Sequence, residues 1–220
     1  MIEKQLKPML SPKGLIENLK TENIKFKEIS EKEAEYYLTN YGNYHLIKSY
    51  KENFERYYIE FIFINKYVDL DFAYLKDLFE IDYEVRVILF KIIINIEHNL
   101  KMKLLNIIEN QKKDIYKVIN KYLKRDFNDE KRLHNSIYRI LGKENYKNFI
   151  VKYNIKENNL IQNIPIWELL EIITFGELVK LYDFILKEYN IREKVIKVDI
   201  LRDIVKLRNS VRHNNLVLSN

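Results

Sequence analysis

The chain of 220 residues contains no cysteine and has only four glycines, three prolines and one tryptophan. The lack of cysteine excludes disulfide frameworks, thiol nucleophiles and zinc–thiolate sites, and it suits a reducing cytoplasm. Catalysis, if there is any, must use histidine, arginine, carboxylates or hydroxyls. The scarcity of glycine and proline beside abundant Leu, Ile, Lys and Glu predicts an all-α fold.

Other signals are missing as well. No apolar run approaches the roughly 20 residues that a membrane span needs, and the segment Met1–Gln5 lacks the basic-then-apolar pattern of a signal peptide. The sequence also lacks an H-E-x-x-H motif, a Gly-rich phosphate loop and a nucleophile elbow. We therefore expect a cytoplasmic protein without membrane association, bound metal or cofactor.

Positive charge is in excess, with 38 Lys and Arg against 32 Asp and Glu, a net charge of +6 and a pI near 9.1. Such a balance favours a polyanionic partner, although Lys and Asn richness can also reflect an A/T-rich genome. The length suits one sizeable core. We expect a tyrosine-rich helical extension over residues 1–70, packed on a helical bundle over residues 71–220.

Several helix ends can be read from capping patterns. Ser11 before Pro12 predicts one helix start, and the pairs Ser30 with Glu33 and Thr174 with Glu177 have the spacing of capping boxes.

Further elements follow from apolar spacing and from helix-breaking residues. The run 61–64 fits either a strand or a buried helical turn. A helix is predicted from Asp71 to about Glu80, followed by a longer scaffold helix over 81–109 with one broad apolar face. Gly142 is expected to close a later helix. Pro165 is expected to open another, with Trp167 as a core residue or dimer anchor.

A terminal helix from about Asp199 carries the most informative pattern. Its apolar stripe of Ile200, Leu201, Ile204 and Val205 continues at helical spacing onto Arg208 and Val211. An arginine at a position patterned for the core is costly unless it is paired or binds an anion.

Arg208, Asn209 and His213 form the pattern R-N-x-x-x-H, which resembles the signature of HEPN-superfamily ribonucleases. Other segments resemble one branch of that superfamily, the abortive-infection proteins of the AbiD/AbiF type. They are Asn43–Tyr50, Leu78–Asp82 with Val85-Arg86, Ile96-Glu97, and Pro165–Glu168 with Phe175-Gly176. The chain departs from the pattern at Arg212, where small residues are common, and at Leu216, where a basic residue is often found.

The resemblance implies a metal-independent endoribonuclease, acting as an anti-phage or toxin-like effector. Arg208 would hold the scissile phosphate, His213 would transfer protons, and Asn209 would orient the imidazole or bind a phosphate oxygen. The resemblance also supports a role for Glu97 near the site. RNA cleavage needs both an acid and a base, whereas the motif supplies one histidine, so we expect a homodimer with Val211 and Leu207 near its two-fold axis.

Candidate RNA contacts lie in the aromatic and basic stretch that contains Tyr44, His45 and Lys48, and at Arg139 and Arg212. Aromatic rings can stack on bases while neighbouring cations meet phosphates. Dense tyrosines are, however, also typical of half-buried packing, and basic helix faces are often merely solvated.

Two alternatives stay open. In the first, Arg208 pairs with Glu97 and His213 caps the helix end, where the dipole favours a cation. In the second, the protein is a catalytically weak RNA-binding module that holds a structured noncoding RNA. A noncoding RNA could also regulate the protein if it is a ribonuclease effector.

Overall fold

The computed structural model describes residues 10–59, 62–111, 114–126, 130–153, 164–192, 196–213 and 216–218. Within these ranges the chain forms nine α-helices, a short 3-10 helix and one two-stranded sheet, so the all-α prediction is confirmed. The helices are α1 Pro12–Thr21, α2 Glu31–Asn40, α3 Tyr44–Ser49, α4 Phe72–Asn110, α5 Ile115–Asp126, α6 Glu130–Lys152, α7 Ile166–Ile172, α8 Phe175–Glu188 and α9 Val198–Arg212. The 3-10 helix is Tyr50–Asn53, and the strands are β1 Arg56–Ile59 and β2 Ile62–Tyr67.

The contacts divide the chain into two compact units. The first unit comprises 1–90 and 210–220, and the second comprises 91–209. Helices α4 and α9 each contribute residues to both units. The domain boundary expected after residue 70 stays a prediction.

The first unit is built from short capped helices and a hairpin. Ser11 accepts a hydrogen bond from the Gly14 amide at the start of α1, and Ser30 and Glu33 form a complete capping box at the start of α2, so both predictions are confirmed. Gly42, between α2 and α3, has no room for a side chain, because a Cβ there would lie 2.6 Å from Ile47 Cδ1.

The hairpin settles residues 62–64 of the ambiguous run in favour of a strand, while Phe61 lies outside the described residues. β1 and β2 pair antiparallel, with Tyr58 opposite Phe63 and Ile59 opposite Ile62. Behind the hairpin lies a core of apolar and tyrosine side chains that are almost fully buried: Ile16, Leu19, Ala34, Ile47, Tyr50, Tyr67, Leu70, Phe72 and Leu75.

Helix α4 runs unbroken for 39 residues, so the predicted break near Glu80 is wrong. The physical reason is that the segment from Glu80 onward holds no glycine or proline to interrupt the helix. Its apolar residues do not all face a core either. Leu100 and Leu104 are buried, whereas Ile88 and Ile92 are 56% and 50% exposed, because a nearly continuous apolar run winds right round a helix.

Helix α8 takes the central place in the second unit that the sequence assigned to the long helix. Eight of its 14 residues are buried, which is typical of a helix surrounded by others. Helix α5 packs against α7 and α8, and α6 packs against α7. In α6, Gly142 adopts the non-helical angles φ 74° and ψ 170°, so it closes one helical segment as predicted, and a second segment follows after the kink.

Two predictions near α7 need correction. Pro165 is the N-cap residue, one position before the helix, and not its first residue. Trp167 is 58% exposed, so its interpretation as a core residue is wrong, and the dimer-anchor alternative stays a prediction.

The capping box of α8 gives a test of the second unit. The Thr174 hydroxyl accepts from the Glu177 amide at 3.3 Å, and the Glu177 carboxylate accepts from the Thr174 amide at 2.8 Å. We expect Thr174→Ala to lower the free energy of unfolding by about 1 kcal/mol, because one of the first amides of α8 loses its acceptor. Urea unfolding measures this change. The control Thr39→Ala, at an exposed site within α2, should have a smaller effect; equal losses would contradict the role of the cap.

Candidate nucleic-acid site

Helix α9 anchors the R-N-x-x-x-H motif through its apolar stripe. Leu201 is 2% exposed, and Ile204, Val205 and Leu207 pack partly buried against the core of the second unit. Ile200 was predicted to belong to this stripe but is 55% exposed. The rest of the predicted stripe is confirmed and holds the helix up to the motif.

Arg208 continues that stripe as a half-buried residue. Its Nη1 atom lies 3.5 Å from Oδ1 of the exposed neighbour Asn209, at the outer limit of a hydrogen bond. Within the described part of the chain, no carboxylate forms an ion pair with this guanidinium. The residue is therefore half-buried without an acidic partner among the described residues.

Glu97 is half-buried on α4, in the same unit as Arg208. Both side chains are described, and no ion pair or hydrogen bond joins them. The alternative in which Arg208 pairs with Glu97 is therefore not realised. The supporting role of Glu97 stays a prediction, without a contact to the arginine.

The last residues of the motif belong to the first unit. Arg212 is exposed at the end of α9, and His213 is exposed in the turn that follows. The His213 ring makes no hydrogen bond with any described residue. The residue follows the last turn of α9. Val211 is only 7% exposed within the single chain, so the expectation that a monomer leaves it wet is wrong.

The segment after the motif is fixed by residues to which the sequence gave no role. Asp82 Oδ1 accepts hydrogen bonds from the amides of Val217 and Leu218, both at 2.8 Å. Asp82 Oδ2 lies 2.9 Å from Nε of Arg86, and the two residues are 0% and 5% exposed. An Asp and an Arg four residues apart within an apolar helix were the available signal.

Among the candidate RNA contacts near the amino terminus, Tyr44 and Lys48 take part in internal packing. The Tyr44 hydroxyl donates to Asn18 Oδ1 at 2.7 Å, and the Lys48 ammonium lies 2.7 Å from Glu22 Oε1. Burial raises the pKa of the Tyr44 hydroxyl. This geometry favours the packing alternative for both, while their contact with RNA stays a prediction.

His45 and Arg139 are placed differently, since both are exposed. The His45 ring lies edge-on to Tyr44, with 5.5 Å between the ring centroids. Arg139 lies on α6, in the second unit. Both side chains are accessible to a polyanion.

A groove of about 720 Å³ opens in the first unit. Aromatic, aliphatic and acidic side chains line it: Tyr37, Tyr41, Phe79, Glu80, Ile81, Tyr83, Glu84, Val85 and Ile88. None of the predicted site residues is among them, and two carboxylates do not suit a phosphate backbone. The groove therefore supports no part of an RNA site.

Within the described ranges, no helix is both long enough and apolar enough to cross a membrane. The same residues include no cluster of three or more His, Asp or Glu side chains that could share a metal ion.

A sequence model of the family described as Abi-like protein matches residues 36–219. The match covers most of the chain and includes the whole of α4 and the R-N-x-x-x-H motif. No curated protein and no solved structure matches the chain. The chain belongs to the Abi-like protein family, and this membership suggests a role in abortive infection.

The buried Glu22 carboxylate generates a pH-dependent prediction. Burial opposes its charge, but Lys48 and Lys51, the latter at 2.8 Å, outweigh that effect and lower the pKa of Glu22. A carboxylate with a lowered folded-state pKa contributes stability above its unfolded pKa of about 4.3, and this stability is lost as the pH falls through the folded value. We expect Glu22→Gln to destabilise the protein at pH 7 and progressively less below about pH 4.3.

Urea unfolding from pH 7 to pH 3 measures this change. The matched control is Glu28→Gln, at an exposed residue of the same unit. A Glu22→Gln deficit that stays constant over the whole range would show that the carboxylate charge does not matter.

Proposed function

We propose that the protein is a metal-independent endoribonuclease of the HEPN type, related to the AbiD/AbiF branch, that acts as an abortive-infection or toxin-like effector. The observation that carries the proposal is the state of Arg208. The residue is half-buried at a core-facing position of α9, and its guanidinium has no carboxylate partner among the described residues. An arginine that is half-buried and has no described carboxylate partner is better suited to binding an anionic ligand than to stabilising the fold.

The motif offers the groups that cleavage of a phosphodiester by the 2′-hydroxyl requires. Arg208 can bind the scissile phosphate through two N–H groups and stabilise the charge that develops on it. The His213 ring is exposed and is free of described hydrogen-bond partners, so it is accessible as a group that transfers protons. Asn209 can orient the imidazole or donate to a phosphate oxygen. The products would carry a 2′,3′-cyclic phosphate.

RNA binding outside the motif would use exposed cations. Arg212 and Arg139 are both exposed, and the net charge of +6 favours a polyanion. His45 is equally accessible. Lys48 is the weaker candidate because Glu22 already neutralises its ammonium. A structured noncoding RNA that regulates the enzyme could use the same cations.

A homodimer would complete the site. Residues five apart on a helix point about 140° away from each other, so Arg208 and His213 do not share a face of α9. Two copies can supply an arginine and a histidine from different subunits, so that each dimer holds two complete sites.

The first functional test removes the two charged groups singly. We expect Arg208→Ala and His213→Ala each to reduce RNA cleavage by at least about 10²-fold, the usual lower limit for a positioned proton-transfer group, and to abolish toxicity in cells. Cleavage of a labelled RNA in EDTA measures the loss. Circular dichroism should be unchanged, because both side chains lie on or beyond the exposed end of α9.

Two matched controls accompany these variants. Arg202→Ala removes an arginine of α9 that is already paired with Asp199 at 2.6 Å, and His98→Ala removes an exposed histidine of α4. Both should cleave RNA like the wild type. Full activity of Arg208→Ala or His213→Ala would rule out the catalytic assignment. Salt-sensitive RNA binding without cleavage by the wild type would favour the alternative, an RNA-binding module.

Mixing the two inactive variants tests the composite site. If each site draws its arginine and histidine from different subunits, a mixed dimer of Arg208→Ala and His213→Ala chains regains one intact site. Statistical reassortment then restores about a quarter of the wild-type activity. Light scattering must first show a dimer. A strictly monomeric protein that still cleaves RNA would contradict the composite site.

A further inference from the structure

The chain just beyond the motif is held at several points of the first unit. The two amides of Val217 and Leu218 share one acceptor, Asp82 Oδ1, at 2.8 Å each. The carbonyl of Leu218 accepts from Asn53 Nδ2 at 2.8 Å, and Leu216 packs against the apolar core. We refer to the contacts of Asp82 and Asn53 with residues 216–218 as the tail clamp.

Asp82 is unusually well fixed for this purpose. It is fully buried, and a buried carboxylate is tolerated only when its charge is compensated. Arg86, one helical turn further along α4, supplies the compensation at 2.9 Å and is itself 5% exposed. The carboxylate therefore presents its other oxygen in one direction, where the tail amides meet it.

Tyr50 closes the same region. Its side chain is fully buried, and its hydroxyl makes no hydrogen bond of standard geometry with a described residue. Burial first, and the Asp82 carboxylate second, raise the pKa of this hydroxyl, so it stays neutral. An uncharged aromatic side chain therefore lies beside the buried carboxylate of Asp82.

The clamp lies close to the motif along the chain. Leu216 is three residues after His213, and three residues span at most about 11 Å when fully extended. The His213 ring itself has no hydrogen bond to a described residue. The end of α9 on one side, and the tail clamp within three residues on the other, limit where the His213 backbone can lie.

From this geometry we infer that Asp82 is a positioning residue for the motif: by holding the amides of Val217 and Leu218, it fixes where His213 is presented to RNA. The inference rests on the proposed function and deepens it, because it names a buried group that acts on the site through the chain. Asp82 itself touches neither the motif side chains nor the substrate.

The test compares Asp82→Asn with the matched control Asp77→Asn. Asp77 lies on the same helix with 63% of its side chain exposed. Asn at 82 keeps the volume but removes the charge that holds the amides and that pairs with Arg86. We expect the Val217 and Leu218 amides to exchange hydrogen at least about tenfold faster in Asp82→Asn, since hydrogen bonds to charged groups are the stronger ones.

Two readouts follow His213 directly. In protein labelled on histidine, the NMR signals of the His213 ring, assigned through the His213→Ala variant, should shift in Asp82→Asn and not in Asp77→Asn. Under single-turnover conditions the cleavage rate should fall by up to about 10²-fold, the cost typical of a misplaced catalytic group, while the RNA dissociation constant stays within about twofold.

Asn53→Ala covers the case in which Asp82→Asn fails to fold. It removes one hydrogen bond to Leu218 and leaves the buried ion pair intact, and we expect changes of the same kind and smaller size. Unchanged ring signals together with an unchanged cleavage rate, despite faster exchange of the tail amides, would overturn the inference and leave the proposed function standing. Shifted ring signals in a protein whose wild type cuts no RNA would keep the positioning role and overturn the proposed function.

Discussion

Asp82, which forms a buried ion pair with Arg86, holds the amides of residues 217 and 218. Removing one partner of such a pair leaves an uncompensated charge in a dry environment, which typically costs about 3–5 kcal/mol. A hydrophobic contact at this place would stabilise the fold equally well, so stability alone does not explain the ion pair. The hydrogen bonds from Asp82 to residues 217 and 218 provide a further reason, because an apolar pair could not accept them.

Residues near both ends of helix α9 are held by specific contacts. Leu201 anchors its beginning in the core of the second unit, and the tail beyond its end is tied to Asp82 in the first. Between these anchors the motif presents a half-buried arginine and an exposed histidine, neither of which has an acidic partner in the described part of the chain. Neither side chain is therefore held by a salt bridge within the described residues.

The sequence predicted those parts of the fold that depend on local chemistry. Ser30 with Glu33 and Thr174 with Glu177 form the expected capping boxes, because a cap is made by residues three positions apart. The sequence did not predict the features that depend on contacts between residues far apart in the chain. Nothing local distinguishes exposed Ile92 from buried Leu100 on α4, and the role of Asp82 appears only when residues 135 positions later fold back onto it. The R-N-x-x-x-H motif could be found in the sequence, whereas the hydrogen bonds of Asp82 with the residues after the motif could not.

The chemical groups at the ends of the cleaved RNA test whether the protein is a metal-independent ribonuclease that uses the 2′-hydroxyl. A labelled RNA should be incubated with the pure protein in excess EDTA, beside a copy of the same RNA that carries a 2′-deoxy nucleotide at the cleavage position. We expect the protein to cut the all-ribose RNA to products with 2′,3′-cyclic phosphate and 5′-hydroxyl ends. The 2′-deoxy copy should stay intact at that position. Cleavage that needs a divalent metal, or that leaves 3′-hydroxyl and 5′-phosphate ends, would contradict this mechanism.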